Sequence, residues 1–273
     1  MLAAFAWGFL AASSLIVGGA VALRYRIDDR ALGLVMAFGS GVLISAVAFE
    51  LVQEAFDTAG GSGTVGLGLL VGSCVFFAGD TLIDRMGGED RKHAGGRQAH
   101  GSAPAIVLGI VLDGIPESIV LGLTIVTGGT VSAAFLVAVA LSNLPEAVAA
   151  TTGLSKGGWG NRPILGLWVL VTFVSGLAAL LGFAVFDSAS AGATAFVLAF
   201  AGGAILTMLA DTMMPEAFEH AGPLVGLVTT PTSLPPCSYA SGIIVSASIV
   251  RIAPAANAST NASVSADVCR KAT

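Results

Sequence analysis

Seven long apolar runs recur along the chain, and they limit its fold more than any other feature. A helix rises about 1.5 Å per residue, so about 20 apolar residues cross a hydrocarbon layer of roughly 30 Å. Apolar residues fill 55% of the 273 positions and charged residues only 11%. The pattern predicts an all-helical integral membrane protein, with spans near 2–23, 31–53, 63–83, 103–127, 130–154, 163–186 and 192–217. We expect an eighth helix after residue 222.

The basic residues are distributed unevenly between the loops that join these runs. Nine of the twelve lie after the first, third and fifth predicted spans: Arg24, Arg26, Arg30, Arg85, Arg91, Lys92, Arg97, Lys156 and Arg162. The loops near 54–62, 127–130 and 187–191 contain none. Because basic loops favour the cytoplasmic side, this distribution predicts an N-terminus outside the cell. The first run lacks a basic leader and a cleavage pattern, so we expect a retained span in a multi-pass protein of the inner, or plasma, membrane.

The second and seventh predicted spans resemble each other. FGSGVLISAVAFELVQEAF at 38–56 aligns without a gap on FAGGAILTMLADTMMPEAF at 200–218, and both end in Glu-Ala-Phe. The predicted topology runs these two spans in opposite directions, which indicates an inverted repeat of three, two and three helices. The alternative is that membrane helices rich in alanine and glycine look alike by composition alone.

A polar loop separates the third span from the fourth. Residues 84–102 are rich in glycine and contain His93 and His100. This composition predicts a flexible cytoplasmic loop. It is either a solvated linker or a segment that collects metal ions weakly.

The character of the chain changes near its end. Residues 229–273 are first rich in proline and then polar, and their one apolar run, 242–253, is too short to span a membrane. The eighth helix is therefore poorly encoded, and the predicted membrane domain covers 1–228. We interpret the remainder as an altered or disordered end, for instance after a reading-frame change near Thr230.

Acidic residues lie within or beside several of the apolar spans. They are Glu50, Asp80, Asp113, Glu117, Glu146, Asp211 and Glu216. A charge at the centre of a bilayer costs at least about 2.5 kcal/mol, so such residues face the bundle interior and usually carry function. Asp80 and Glu216 lie near helix ends, where we expect water to reach them, and the other five lie deeper. No lysine or arginine lies in the seven spans, so we expect these acids to be protonated or to hold a cation from solution.

Two proline–glutamate turns mark the fourth and fifth spans. In LDGIPES, Asp113 and Glu117 are four residues apart and share a helix face. In SNLPEA, Asn143 and Glu146 share a face in the same way, with Ser142 beside them. Each proline frees a backbone carbonyl and favours a kinked or unwound helix. Together these oxygens suit a hard divalent cation, and the alternative is neutral acids that hydrogen-bond helices together.

The spans and the motifs DGIPES and SNLPEA resemble prokaryotic members of the ZIP (Zrt/Irt-like) family of divalent metal transporters. That family carries His-Asn-x-Pro-Glu-Gly on its fourth helix and a similar motif on its fifth. Its fold is an eight-helix bundle with a three-two-three inverted repeat. The resemblance covers 1–228 and implies a metal site with the candidate ligands Asp113, Glu117, Ser142, Asn143, Glu146, Glu50, Asp211 and Glu216.

The fourth-span motif diverges from the family pattern. Asp113 stands where the family has its histidine, and Gly114 replaces the asparagine. Thr212 stands where the seventh helix of the family has a glutamate, whereas its repeat partner Glu50 is retained, and 171–182 contains no acid. We therefore expect one metal site rather than two. Without imidazole the site favours hard or borderline ions, so zinc is the family default and iron and manganese are alternatives.

The resemblance implies uptake of the metal ion toward the cytoplasm, by movement of one bundle of helices against another. The ion is the substrate, and no prosthetic group is expected. The expected partners are the ion and the lipid bilayer; no nucleic acid is expected, and a homodimer is compatible with the sequence. Glu216, Glu219 and His220 are candidates for the exit route.

The sequence offers little support for two other function classes. The chain lacks GxxxxGK[ST], which argues against an ATP-driven pump. It also lacks HExxH, which argues against an intramembrane metalloenzyme, so no enzymatic activity is expected. A degenerate relative that no longer transports is the remaining alternative.

Overall fold

The computed structural model describes residues 1–60, 63–88, 91, 102–128 and 133–232. These residues are helical nearly throughout, and no strand occurs among them. The helices are α1 (Leu2–Arg24), α2 (Asp29–Ala59), α3 (Thr64–Gly88), α4 (Ala103–Gly128), α5 (Ala133–Lys156), α6 (Asn161–Phe186), α7 (Ala191–Ala221) and α8 (Leu224–Thr232). Seven of them, α1 to α7, are long and apolar enough to cross a membrane, which indicates a multi-pass membrane protein. The predicted all-helical class is confirmed.

The helices form an inner and an outer set. α2, α4, α5 and α7 are buried over most of their length, whereas α1, α3 and α6 expose most of theirs. The outer helices present large apolar side chains such as Leu70, Phe77, Phe173 and Leu181. An apolar surface of this extent is unfavourable in water and suits contact with lipid chains. All of the acids predicted to lie deep are on the inner helices.

α2 and α7 match each other at both ends, at a constant offset of 162 residues. Each is 31 residues long. Asp28 and Ser190 precede them, and each side chain accepts a hydrogen bond of 3.3 Å from the backbone N–H three residues further on. Each helix ends at a glycine with a φ of 60°, Gly60 and Gly222. The similarity of the two sequences therefore extends to the residues that start and stop the helices.

The same two helices share an internal irregularity. Val47–Val52 in α2 and Leu209–Met213 in α7 are π-helical, and both segments begin at equivalent positions. A π-helical segment inserts an extra residue into a turn and is often found at functional sites. Glu50 lies in the first segment, and Asp211 and Thr212 lie in the second. Neither segment was predicted from the sequence.

The contacts between helices are preserved when the helices are exchanged in pairs. α1 packs on α5 and α6, while α6 packs on α1 and α4. α3 packs on α7, and α8 packs on α2. The N-terminal part of α2 contacts the C-terminal part of α7, and the reverse also holds, so these two helices are antiparallel. Exchanging α1 with α6, α2 with α7, α3 with α8 and α4 with α5 leaves these neighbours unchanged.

Glycines allow α3 and α7 to approach closely. A Cβ atom at Gly72 would overlap the backbone of Phe200, and one at Gly203 would overlap the backbone of Leu69. The Ser73 hydroxyl donates a hydrogen bond of 3.1 Å to the Gly203 carbonyl. Close backbone contact with an interhelical hydrogen bond is the usual way to pair helices in lipid, where no hydrophobic force drives them together.

Several predictions fall at the edges of the described residues. Asp84–Gly88 continues α3 as a π-helical turn, where a loop was predicted. His93, His100 and the end of the chain after residue 232 lie outside the described residues. α8 begins close to the predicted position, and the Thr229 hydroxyl ties it to α2 by a hydrogen bond of 3.2 Å to the Ala37 carbonyl.

Candidate cation site

Most of the predicted metal ligands are buried, although they lie on apolar helices. The buried ones are Asp113, Glu117, Ser142, Asn143, Glu146 and Glu216. Glu50 is half-buried, and Asp211 is exposed. The prediction that Asp211 lies deep is therefore wrong, because Leu209 and Met213 take the buried positions of the π-helical segment. Asp211 is nevertheless close enough to Asp80 for their charges to interact.

Asp80 and Glu216 are buried, so the prediction that water reaches them near helix ends is wrong. Their exposed fractions are 7% and 6%. Glu216 Oε1 lies 2.8 Å from Nε2 of His220, one turn further along α7. α2 covers this turn closely, because a Cβ atom at Gly33 would overlap the backbone of Ala217. Packing against α2 thus excludes water from a position that hydropathy alone leaves at a helix end.

Arg91 supplies a counter-ion from within the protein, so the prediction that the acids have none is wrong for α3 and α4. Its Nε lies 2.9 Å from Oδ2 of Asp113, and its Nη2 lies 3.1 Å from Oδ1. Nη2 also donates to Asp80, and Nη1 lies 3.2 Å from Oδ1 of Asp84. A two-bond pairing of guanidinium with carboxylate is among the stronger polar contacts in proteins. Arg91 itself is only 1% exposed.

Glycines at three positions bring Arg91 to this place. Gly87 has a φ of 93°, which turns the chain at the end of α3. The carbonyl of Gly88 then accepts a hydrogen bond of 3.1 Å from the backbone N–H of Arg91. On α4, a Cβ atom at Gly109 would overlap Cδ of Arg91. Sequence reasoning missed Arg91 because it lies between spans, and the available signal was Gly109, one turn before Asp113.

The surroundings of Arg91 keep its side chain charged. Burial alone would lower the pKa of the guanidinium, but the charges of Asp113 and Asp80 outweigh this effect and raise the pKa above its ordinary value. Arg91 thus brings one positive charge to the three carboxylates of Asp80, Asp84 and Asp113.

Both proline–glutamate turns remain helical, so the unwound form of the prediction is wrong. α4 is helical through Pro116, and α5 is helical through Pro145. The Ser118 hydroxyl donates a hydrogen bond of 2.7 Å to the carbonyl of Gly114. The Ser142 hydroxyl donates one of 3.0 Å to a carbonyl of its own helix. Hydroxyl groups therefore bond to helix carbonyls beside the prolines without an unwound segment.

Glycines of the neighbouring helices hold the two turns. Gly39 of α2 lies against Pro145, where a Cβ atom would be 3.1 Å from the proline Cγ. Gly18 of α1 lies against the backbone of the same turn of α5. On the other side, Gly182 of α6 lies against the backbone of Ile119 in α4. Small residues thus let the inner and outer helices close around both turns.

The polar groups lie on α4 and α5 in two separate sets. On α4 the buried carboxyls are Asp113 and Glu117, and on α5 Glu146 lies with the neutral donors Ser142 and Asn143. α4 and α5 contact each other only sparsely. In the described part of the chain, no group of three or more His, Cys, Asp or Glu side chains is placed to hold a metal ion. The structure thus presents two separate sets of buried polar groups, one on each helix.

Comparison with protein-family models finds no match to the chain, and comparison with curated protein sequences finds none either. The function must therefore be inferred from this chain's own residues. The main observation is the burial of carboxyl groups on the inner helices of an apolar bundle.

Proposed function

We propose that the chain is a ZIP-like transporter that moves a divalent metal ion across the membrane toward the cytoplasm. The observation that carries this proposal is the burial of Asp113, Glu117 and Glu146 beside Ser142 and Asn143 on the inner helices. Acids in such surroundings are costly to an inert bundle and are typical of ion pathways. In this proposal the sets on α4 and α5 are two half-sites, and one ion held between them would use the oxygens of both.

The relation between α2 and α7 supports an inverted repeat. Their caps, π-helical segments and terminal glycines coincide at one offset, and the two helices are antiparallel. In secondary transporters an inverted repeat lets one half of the fold rock against the other, so that a central site opens to each side in turn. We assign the exchange of α1–α3 with α6–α8 to this role, with α4 and α5 as the central pair.

The ligand chemistry favours hard or borderline ions. The proposed ligands are carboxylate, amide and hydroxyl oxygens, which suit manganese and ferrous iron as well as zinc. Zinc is the ion that the family resemblance implies. The basic loops favour an N-terminus outside and an α3–α4 loop in the cytoplasm. The proposed direction of transport is the one that the family resemblance implies.

A bundle that does not transport is the second candidate. The observation that favours it is the pairing of Asp113 with Arg91, since a protein cation can replace a metal ion as the partner of a buried carboxylate. The two candidates differ in whether any divalent ion crosses the membrane.

Uptake by purified protein in liposomes tests the proposal. Zinc, ferrous iron, manganese and cadmium are supplied outside, and the ion that accumulates is measured over time. We expect Glu117→Gln and Glu146→Gln each to lower uptake by at least about tenfold, since each change removes a negative charge at one half-site. Asp187→Asn is the matched control, because Asp187 is exposed in the turn between α6 and α7.

The results separate the candidates. Uptake that resists both glutamate changes contradicts the proposed site. If the wild-type chain takes up none of the four ions, the second candidate is correct.

A further inference from the structure

Arg91 contacts the carboxylate oxygens of Asp113 that a metal ion would bind. Its guanidinium contacts both oxygens of that carboxylate, at 2.9 and 3.1 Å. The same guanidinium bonds to Asp80 and Asp84, so it stands at the centre of three acids. A divalent cation coordinated by these oxygens would occupy the same space and repel the guanidinium, so Asp113 can serve only one of the two cations at a time.

We propose that Arg91 is a tethered competitor of the transported ion, with its guanidinium and the ion occupying Asp113 in turn. This inference rests on the proposed function, since it concerns the same site. An ion that binds at Asp113 must therefore displace a cation that belongs to the protein, which opposes ion binding.

The position of Arg91 permits this exchange. It lies outside the helices and reaches Asp113 by its side chain alone, so withdrawal of the side chain needs no helix to unpack. Along α4 the side chain packs directly on Gly109, where a Cβ atom would overlap Cδ of Arg91. A lysine or arginine on an inner helix would lack this freedom, because its backbone would be fixed in the bundle.

The charge of Arg91 makes displacement the necessary route. A guanidinium stays protonated in proteins, so loss of a proton does not release it at neutral pH. Withdrawal alone would take the positive charge of Arg91 away from the three carboxylates of Asp80, Asp84 and Asp113. A divalent ion carries two positive charges to the same group and therefore provides the compensation that withdrawal removes.

Chemical labelling of arginine tests the exchange on the wild-type protein. Phenylglyoxal modifies accessible guanidinium groups, and peptide mass spectrometry gives the rate at each site. Arg85 is exposed and serves as the internal reference, whereas Arg91 is 1% exposed. We expect Arg91 to react slowly without metal. Saturating Mn²⁺ is expected to raise its rate about fivefold or more, the lower end of usual couplings between two binding events, and to leave Arg85 unchanged.

Two variants sharpen this test. In Asp113→Asn we expect Arg91 to react faster without metal, and Mn²⁺ to add little. In Arg91→Gln we expect the Kd for Mn²⁺, measured by titration calorimetry, to fall roughly 5- to 150-fold. The matched variant Arg85→Gln should leave that Kd unchanged, and so should adding Arg91→Gln to Asp113→Asn.

The outcomes distinguish this inference from the proposed function. If Mn²⁺ binds and Arg91 stays as slow to react as before, the competition is absent although transport can still occur. If neither Mn²⁺ nor Zn²⁺ binds and neither is taken up, the proposed function fails as well. Because the labelling uses the unaltered chain, a variant that does not fold leaves the test intact.

Discussion

Asp113 and Ser142 hold equivalent places in the two proline–glutamate turns, three residues before the proline of α4 and of α5, and they are equally buried. Each is 1% exposed. The Asp113 carboxylate is bonded to Arg91, whereas the Ser142 hydroxyl donates to a carbonyl of its own helix at 3.0 Å. Burial at this position is thus the same in α4 and α5. The position is an acid only in α4, where Arg91 reaches it from outside the helix.

The buried polar groups of α4 and α5 therefore differ. α4 carries two carboxyls, one of them paired with Arg91 from outside the helix, and α5 carries one carboxyl with two neutral donors. The same asymmetry occurs between α2 and α7, where Glu50 stands opposite Thr212 at the repeat offset. α2 and α7 thus agree in their caps and π-helical segments and differ in the polar residue at this position.

Removing the cation from α4 should give the largest effect. We expect Arg91→Ala to lower the free energy of unfolding by about 3 kcal/mol, because the change removes the guanidinium that pairs with the buried carboxylates of Asp80 and Asp113. Thermal unfolding in detergent measures this loss, with the exposed Arg85→Ala as control. Added Mn²⁺ should recover part of the loss, since an ion that binds only the folded state stabilises it. Equal stability of the two variants would contradict the role given to Arg91.

Placing an acid on α5 should give the next effect. We expect Ser142→Asp to lower the free energy of unfolding by about 2 kcal/mol, because a carboxyl at that depth lacks the tethered guanidinium that Asp113 has. Ser142→Ala, which removes one local hydrogen bond, should cost about 1 kcal/mol or less. Unfolding in detergent compares the two variants. If Ser142→Asp is as stable as the wild type, the acid of α4 does not depend on a counter-ion either.

Filling the space in which Arg91 packs on Gly109 should give the smallest effect. Gly109→Ala puts a methyl group onto the arginine side chain and should cost roughly 1 kcal/mol through overpacking. Gly114→Ala on the same helix has room, since its Cβ would lie 3.6 Å from the Ser175 hydroxyl, and should gain about 0.5 kcal/mol from helix propensity. Opposite signs are the expected result by thermal unfolding. The same sign for both variants would contradict the close packing of Arg91 on Gly109.

The spans could be predicted from the sequence because each depends on local hydropathy. Five of the seven predicted runs lie within the helices observed, the run at 63–83 begins one residue before α3, and the run at 130–154 begins outside the described residues. The greatest difference is α2, which continues to Ala59 through a polar last part. The π-helical segments could not be predicted. They depend on how α2 and α7 pack against each other, and hydropathy does not report a shift of one residue within a turn.

The candidate site could be predicted only in part. The two proline–glutamate turns identify the buried carboxyls, because such residues are conspicuous in apolar runs. Arg91 was missed because its contact with Asp113 joins a polar loop to the middle of α4, and no periodic pattern connects residues so far apart in the chain. The exposure of Asp211 was missed as well. It depends on the π-helical segment that turns this residue outward, and hydropathy does not report such a segment.

Counting bound ions tests the central claim most directly, namely that the turns of α4 and α5 form one cation site. Equilibrium dialysis of the purified wild-type chain against Mn²⁺ or Zn²⁺ gives the number of ions held at saturation. We expect one ion per chain. At the concentration that saturates the wild type, Glu117→Gln alone and Glu146→Gln alone should each abolish binding, whereas Asp187→Asn should not. An ion that persists in both single variants, or one lost only when both glutamates are changed, would contradict the single shared site.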